Sequence, residues 1–235
     1  MMAGVWEADP RMVERFNRLS KRYDDHTRRI PGYRRLVEEI VRLTEPRSSD
    51  IVVDIGTGPG VLCLLLAPFV KKAIGVDVSE RMLEEARRRA LKDNVENVEF
   101  RLGSFLNPGV DEKVDKIVTN LALHHLVDED KRKAMNVMFN MLKDGGRVVI
   151  GDFMFFFNPE REPRKLKQVL DYVTSKLMVR EPGESVEDFL SRLAETEHPS
   201  TASSIKLFLE SAGFNVVAVK EVTPPALGVI CAKKP

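Results

Sequence analysis

The sequence predicts an α/β fold: a mostly parallel sheet with helices on both faces, an N-terminal helical cover, and a helical insert after the fifth strand. Three observations predict it. Short apolar runs alternate with amphipathic stretches from residue 50 to residue 151. The turns between them are short, which favours right-handed βαβ units. A glycine-rich turn, Gly56 to Gly60, stands between the first run and the first helix.

The elements follow in order. A charged helical region is expected from Asp9 to Thr44, broken near Ile30-Pro31-Gly32, because Pro and Gly interrupt helices. Residues 46–50 read as a loop. Ile51 to Ile55 is a nearly continuous apolar run, as in a strand buried on both faces. Pro59 to Val70 reads as a helix and Ala73 to Asp77 as the second strand. Ser79 caps a helix through Lys92, with Met82, Leu83, Ala86 and Ala90 as its apolar stripe. Strands are expected at Val98–Leu102, Val114–Asn120 and Arg147–Gly151, with a helix from Asp128 to Leu142. Residues 158–200 are charged and helical, interrupted at Pro182-Gly183. Ser200 or Thr201 starts a helix that ends at Gly213. Phe214–Val222 and Leu227–Ala232, joined through Pro224-Pro225, read as a closing hairpin with at least one antiparallel strand.

Composition bounds the function. The chain has 235 residues and a net charge of +1, enough for a single domain and against a uniformly basic nucleic-acid binder. A charged fraction of 31% with a single glutamine, Gln168, matches the bias of thermophile proteins. Cys63 and Cys231 sit in apolar contexts without a CxxC, so buried free thiols are expected and no metal site. The apolar run Val61–Val70 is too short for a membrane span, and the N-terminus has no apolar signal region. A soluble, cytoplasmic protein is expected.

The strongest chemical signal is Asp54-Ile55-Gly56-Thr57-Gly58-Pro59-Gly60. Glycines there permit positive φ and close backbone approach, and the following helix offers free N–H groups. Val61 stands where a dinucleotide fingerprint needs glycine, which disfavours a nucleotide-dependent dehydrogenase; the phosphate-loop lysine is also absent. The second signal is Asp77, at the end of the second strand. An acidic residue about 20 positions on is where open α/β sheets bind ribose hydroxyls.

Together with Gly75-Val76-Asp77, Val114–Asn120, Leu142–Arg147 and Ser211–Phe214, these motifs resemble the class I S-adenosylmethionine (SAM)-dependent methyltransferases, in particular their small-molecule members. The resemblance implies a Rossmann-like, seven-stranded sheet. It divides one domain into a cover at 1–46, a SAM-binding core at 50–151, an insert or lid at 152–200, and a closing helix and strands at 201–235. It implies that Gly56, Thr57, Gly58 and Gly60 lie along the methionine part of SAM, and that Asp54 supports the loop or the amino group. Asp77 would accept both ribose hydroxyls, and Val78 and Met82 would flank the adenine. Ser104 and Phe105 stand where the family often places an Asp against the adenine amine, so that hydrogen bond is missing from the pattern. Asn120 and Leu121 would border the sulfonium. Arg22-Tyr23-Asp24 is similar to a short Tyr-Asp element of the family, in which Tyr23 would close over the cofactor. The product would be S-adenosylhomocysteine, with no metal required.

Substrate readings are more open. His124 and His125 follow the fourth strand, at the edge where such sheets bind ligands. They could contact the acceptor, with His125 as a general base, or merely cap a loop. Asp152 and Phe153 open an aromatic run that either walls an acceptor pocket or anchors the insert. Glu197-His198-Pro199 is a helix-breaking turn that could line the same pocket. Nine cations between Arg11 and Arg35 form either a solvated face or a guide for an anionic or RNA acceptor. A small-molecule acceptor is the leading reading; a tRNA methyltransferase or a non-catalytic SAM-binding protein are the alternatives. The oligomeric state is not legible.

Overall fold

The structure is a computed structural model describing residues 10–20, 27, 30–172, 185–224 and 226–235. Its sheet has a seven-strand path: β3 (Val98–Leu102), β2 (Lys72–Asp77), β1 (Ile51–Ile55), β4 (Val114–Asn120), β5 (Leu142–Phe155), β8 (Leu227–Lys233) and β7 (Asn215–Thr223). A two-residue strand, β6 (Ser200–Thr201), pairs off this path with the end of β5. The first five strands of the path are mutually parallel. β8 runs antiparallel to both β5 and β7, closing the sheet through the hairpin expected from Pro224-Pro225.

The helices are α1 (Pro10–Leu19), α2 (Tyr33–Thr44), α3 (Val61–Leu66), α4 (Glu80–Lys92), α5 (Asp128–Met141), α6 (Pro163–Tyr172), α7 (Val186–Thr196) and α8 (Ala202–Ser211). Apolar clusters fill both faces. One joins Val53, Ile74, Ile117, Met135, Phe208 and Ile230. The other joins Leu36, Ile40, Val52, Leu66, Val149 and Val229. Two-sided burial is why the central strands read as continuous apolar runs. Gly151 lets α2 approach β5: a Cβ there would sit 2.4 Å from Ile40 Cδ1.

Two expected elements change their bounds. The first helix spans only Val61–Leu66, because Gly60 has φ 81°, and a 3₁₀ turn at Ala67–Phe69 carries the chain on. β5 is far longer than Arg147–Gly151. It starts at Leu142 through a bulge around Gly145 (φ 73°) and runs on through the aromatic segment to Phe155. Asp152 and Phe153 therefore lie inside a strand, not after it. The charged 158–200 region contains α6 and α7, while Pro182-Gly183 lies outside the described residues. Among the described residues no helix is long and apolar enough to cross a membrane. Cys63 and Cys231 are buried free thiols.

Candidate active site

Two neighbouring strand ends build the floor. After β1 the chain turns back, and the N–H groups of Gly56 and Thr57 both donate to the Val76 carbonyl, at 2.8 and 3.0 Å. Gly56 has φ 75°, and a Cβ there would lie 2.4 Å from Ala122 Cβ, so conformation and space both demand glycine.

Asp77 ends β2. Its Oδ2 accepts from Gly58 N (2.8 Å) and its Oδ1 from Ser79 N (2.9 Å). Burial pushes its pKa up to about 6 against those donors. Asp54 accepts from Thr57 Oγ1 at 2.7 Å; burial, with Asp77 nearby, raises it to about 7. Asp54 Oδ1 and Asn120 Oδ1 are buried acceptors without a hydrogen-bond partner. Both residues line a small recess of about 30 Å³, together with Thr57, Gly58 and Leu121. Leu121 holds φ 51°, a left-handed conformation costly for a γ-branched side chain.

The recess adjoins a larger cavity of about 280 Å³. Gly56, Gly58, Asp77, Val78, Met82, Ser104 and Phe105 line one end. Leu121, His125, Val127, Asp130, Glu195 and His198 line the other. Met12 and Phe16 of α1 cover it. α1 is held over the cavity by polar contacts: Ser79 Oγ donates to Asn17 Oδ1 (2.6 Å), Arg11 pairs with Glu195 (2.9 Å), and Arg15 with Glu197 (3.5 Å). Phe16 meets the His125 ring edge-on at 5.3 Å.

Four expected site residues line neither space. Gly60 turns away, its missing Cβ facing Ala86 and Phe100 at 3.0–3.1 Å, so it serves packing. Buried His124 and Asp152 and half-buried Phe153 form a wall behind His125. His124 Nδ1 lies 2.5 Å from Asp152 Oδ1, and its ring packs edge-on to Phe153 at 5.1 Å. Tyr23 lies outside the described residues.

His124 sits between two carboxylates, with Nε2 3.0 Å from Glu197 Oε2. Burial would lower its pKa, but Asp152 and Glu197 outweigh it and hold the ring protonated. His125 goes the other way. Burial and the adjacent His124 charge push it down, so it is neutral. Its Nδ1 lies 3.0 Å from the Thr196 carbonyl, which fixes the proton there and leaves Nε2 as the lone pair. A neutral imidazole lining the cavity can accept a proton or a hydrogen bond.

Met12, Phe16, Asp130 and Glu195 were not expected. They come from distant helices, and no local pattern marks them. The Glu197-His198-Pro199 turn does reach the site: His198 lines the cavity and its N–H donates to the His124 carbonyl at 2.7 Å.

A family model described as a methyltransferase domain matches residues 46–199. The chain belongs to this methyltransferase family. The match covers the glycine loop, Asp77, the histidine pair and the turn at Glu197. An uncharacterized methyltransferase of Bacillus subtilis, YcgJ, is 36% identical over 114 residues, 48% of this chain and 44% of that one. An arsenite methyltransferase of Halobacterium salinarum is 36% identical over 107 residues, 44% of this chain and 27% of that one. The aligned stretches thus span less than half of either relative. Among solved structures, the DhpI complex with SAM and HEP has a TM-score of 0.68 at 18% identity, covering 94% of this chain and 95% of that one. It shares the fold, a class I methyltransferase sheet.

Proposed function

We propose that the chain transfers the methyl group of SAM to a small-molecule acceptor. The observation that carries this reading is the covered cavity, with a carboxylate and glycine loop at one end and a neutral imidazole at the other. The residues fit the cofactor. Asp77 keeps a free lone pair on each oxygen for ribose hydroxyls, and Val78 and Met82 offer apolar faces to a base. The orphaned oxygens of Asp54 and Asn120 suit an ammonium group, which is what the methionine end of SAM carries.

SAM supplies a methyl on a sulfonium sulfur: an acceptor lone pair forms the bond to carbon while the C–S pair returns to sulfur, giving S-adenosylhomocysteine. The chain's contribution is alignment and exclusion of water. Leu121 and Ala122 border the passage between the two ends. His125 Nε2 orients the acceptor and takes its proton where it has one to lose. α1 and residues 195–198 shut the cavity over the pair.

The acceptor is small because the space is small. RNA is disfavoured by how the described cations are used: Arg11, Arg15 and Arg18 pair with Glu195, Glu197 and Glu14 rather than facing a partner. Arsenite, the acceptor named for the Halobacterium relative, has no thiolate ligand here, since neither Cys63 nor Cys231 lines the cavity. The test is transfer from methyl-labelled SAM into a fractionated cell extract. Label is expected in the low-mass fraction and dependent on His125; label in RNA or protein instead, or none with every fraction, would refute the reading.

A further inference from the structure

We infer that His124, His125 and Glu197 form a binding site for one divalent transition-metal cation of the zinc class, against the acceptor end of the cavity. The proposal does not rest on methyl transfer, but a bound cation occupies the His125 Nε2 lone pair that otherwise takes the acceptor's proton.

The donor set is the first argument. Among the described residues, these three offer ligand atoms within 4.8 Å of one another. His124 Nε2 and Glu197 Oε2 are 3.0 Å apart, and the His125 ring lies beside His124 with its centroid 4.0 Å away. Zinc bonds to nitrogen and oxygen of about 2.0–2.2 Å put donors roughly 3–3.5 Å apart, so His124 and Glu197 already stand at ligand spacing. Two imidazoles and a carboxylate are the ligands that suit zinc, cobalt or iron rather than magnesium.

The second argument is the outer layer. Metal-binding imidazoles hold their other nitrogen against a carboxylate or carbonyl. Here His124 Nδ1 lies against Asp152 Oδ1 at 2.5 Å, and His125 Nδ1 against the Thr196 carbonyl at 3.0 Å. Asp152 is itself fixed by the N–H groups of His124 (2.9 Å) and Phe153 (2.7 Å). Both rings are thus held by oxygens, and His124 presents Nε2 to Glu197.

The third is an unanswered acceptor. Glu197 Oε2 is buried and has no hydrogen bond of acceptable geometry, while Oε1 faces Arg15. Arg15 faces Glu197, the proton on His124 lies between Asp152 and Glu197, and the neighbouring Lys131 is already matched by Asp128 at 3.1 Å. A cation can take the place that a proton on His124 Nε2 otherwise fills.

The linear sequence hides this site because Glu197 stands far downstream of the histidine pair. Lys131 donating to Ser200 (2.7 Å), His198 N–H donating to the His124 carbonyl and Arg15 pairing with Glu197 bring it to them.

The test is a titration of the whole chain with Co²⁺, read by its visible d–d absorption and competed with Zn²⁺. Saturation at one equivalent, displacement by one equivalent of Zn²⁺ and unchanged near-UV circular dichroism are expected. Asp152→Asn, one layer out, should weaken binding ~10–100-fold. Glu197→Gln should weaken it at least as much, whereas His198→Ala should leave it unchanged. If Glu197→Gln loses its near-UV signal, His125→Gln replaces it with the same expectation. No saturable band overturns the proposal, as does wild-type affinity in the ligand variant. So does an intense thiolate charge-transfer band, which would mean that Cys63 and Cys231 had been exposed and were the real ligands.

Discussion

At the residue scale the site is governed by what burial does to carboxylates. Asp77 has a folded pKa of about 6 against 3.8 in the open chain, so the ligand-free fold binds more protons between those values. Its contribution to stability is fully present below 3.8 and lost as pH rises through about 6. Asp77→Asn is neutral throughout. In urea titrations of the ligand-free protein, the variant should gain on the wild type by ~2 kcal/mol between pH 4 and 7. A constant difference would show that Asp77 is not desolvated. SAM binding carries the opposite sign, because ribose hydroxyls donate to the ionised form: affinity should fall as pH drops below about 6. Much of this end of the site was legible. Glycines and an acidic residue must stand at fixed places in a strand–turn–helix, and so they show in one dimension. The sequence places Gly60 along the ligand because it cannot say which way a missing Cβ points; in the fold it faces Ala86 and Phe100.

At the element scale the central parallel strands were legible because they are buried on both faces and therefore largely apolar, while the edge strand β3 showed only as the short run Val98–Leu102. The ends of elements were not. β5 outruns its apolar stretch because a bulge at Gly145 and pairing with β8 from Arg147 to Phe153 extend it at both ends. β6 has only two residues; it pairs with the end of β5, and Lys131 anchors its Ser200. That lysine is fully buried on α5, donating to Asp128, to Ser200 and to the His198 carbonyl. Lys131→Met keeps the volume and strands those acceptors, at ~1–3 kcal/mol for the unpaired groups. Hydrogen exchange should quicken at the backbone amides of residues 198–201 relative to those of β1. Unchanged protection there would mean that β5 pairing alone holds the turn.

At the scale of the whole molecule, near-neutrality conceals a division of labour. The basic residues of α1 do not form an open face; Arg11 and Arg15 reach across to Glu195 and Glu197 and bring a cover and a turn together over one cavity. The extra length beyond the sheet, before residue 50 and after β5, supplies Met12, Phe16, Glu195 and His198 at its walls. Those residues were illegible because their meeting is tertiary. The central claim, that this cavity binds SAM through Asp77, is tested most directly by calorimetric titration of SAM into the wild type and Asp77→Ala. One-site binding to the wild type is expected, weakened at least ~30-fold in the variant by loss of charge-assisted hydrogen bonds worth ~1.5–3 kcal/mol each. Equal affinities, or no binding to the wild type, would contradict it.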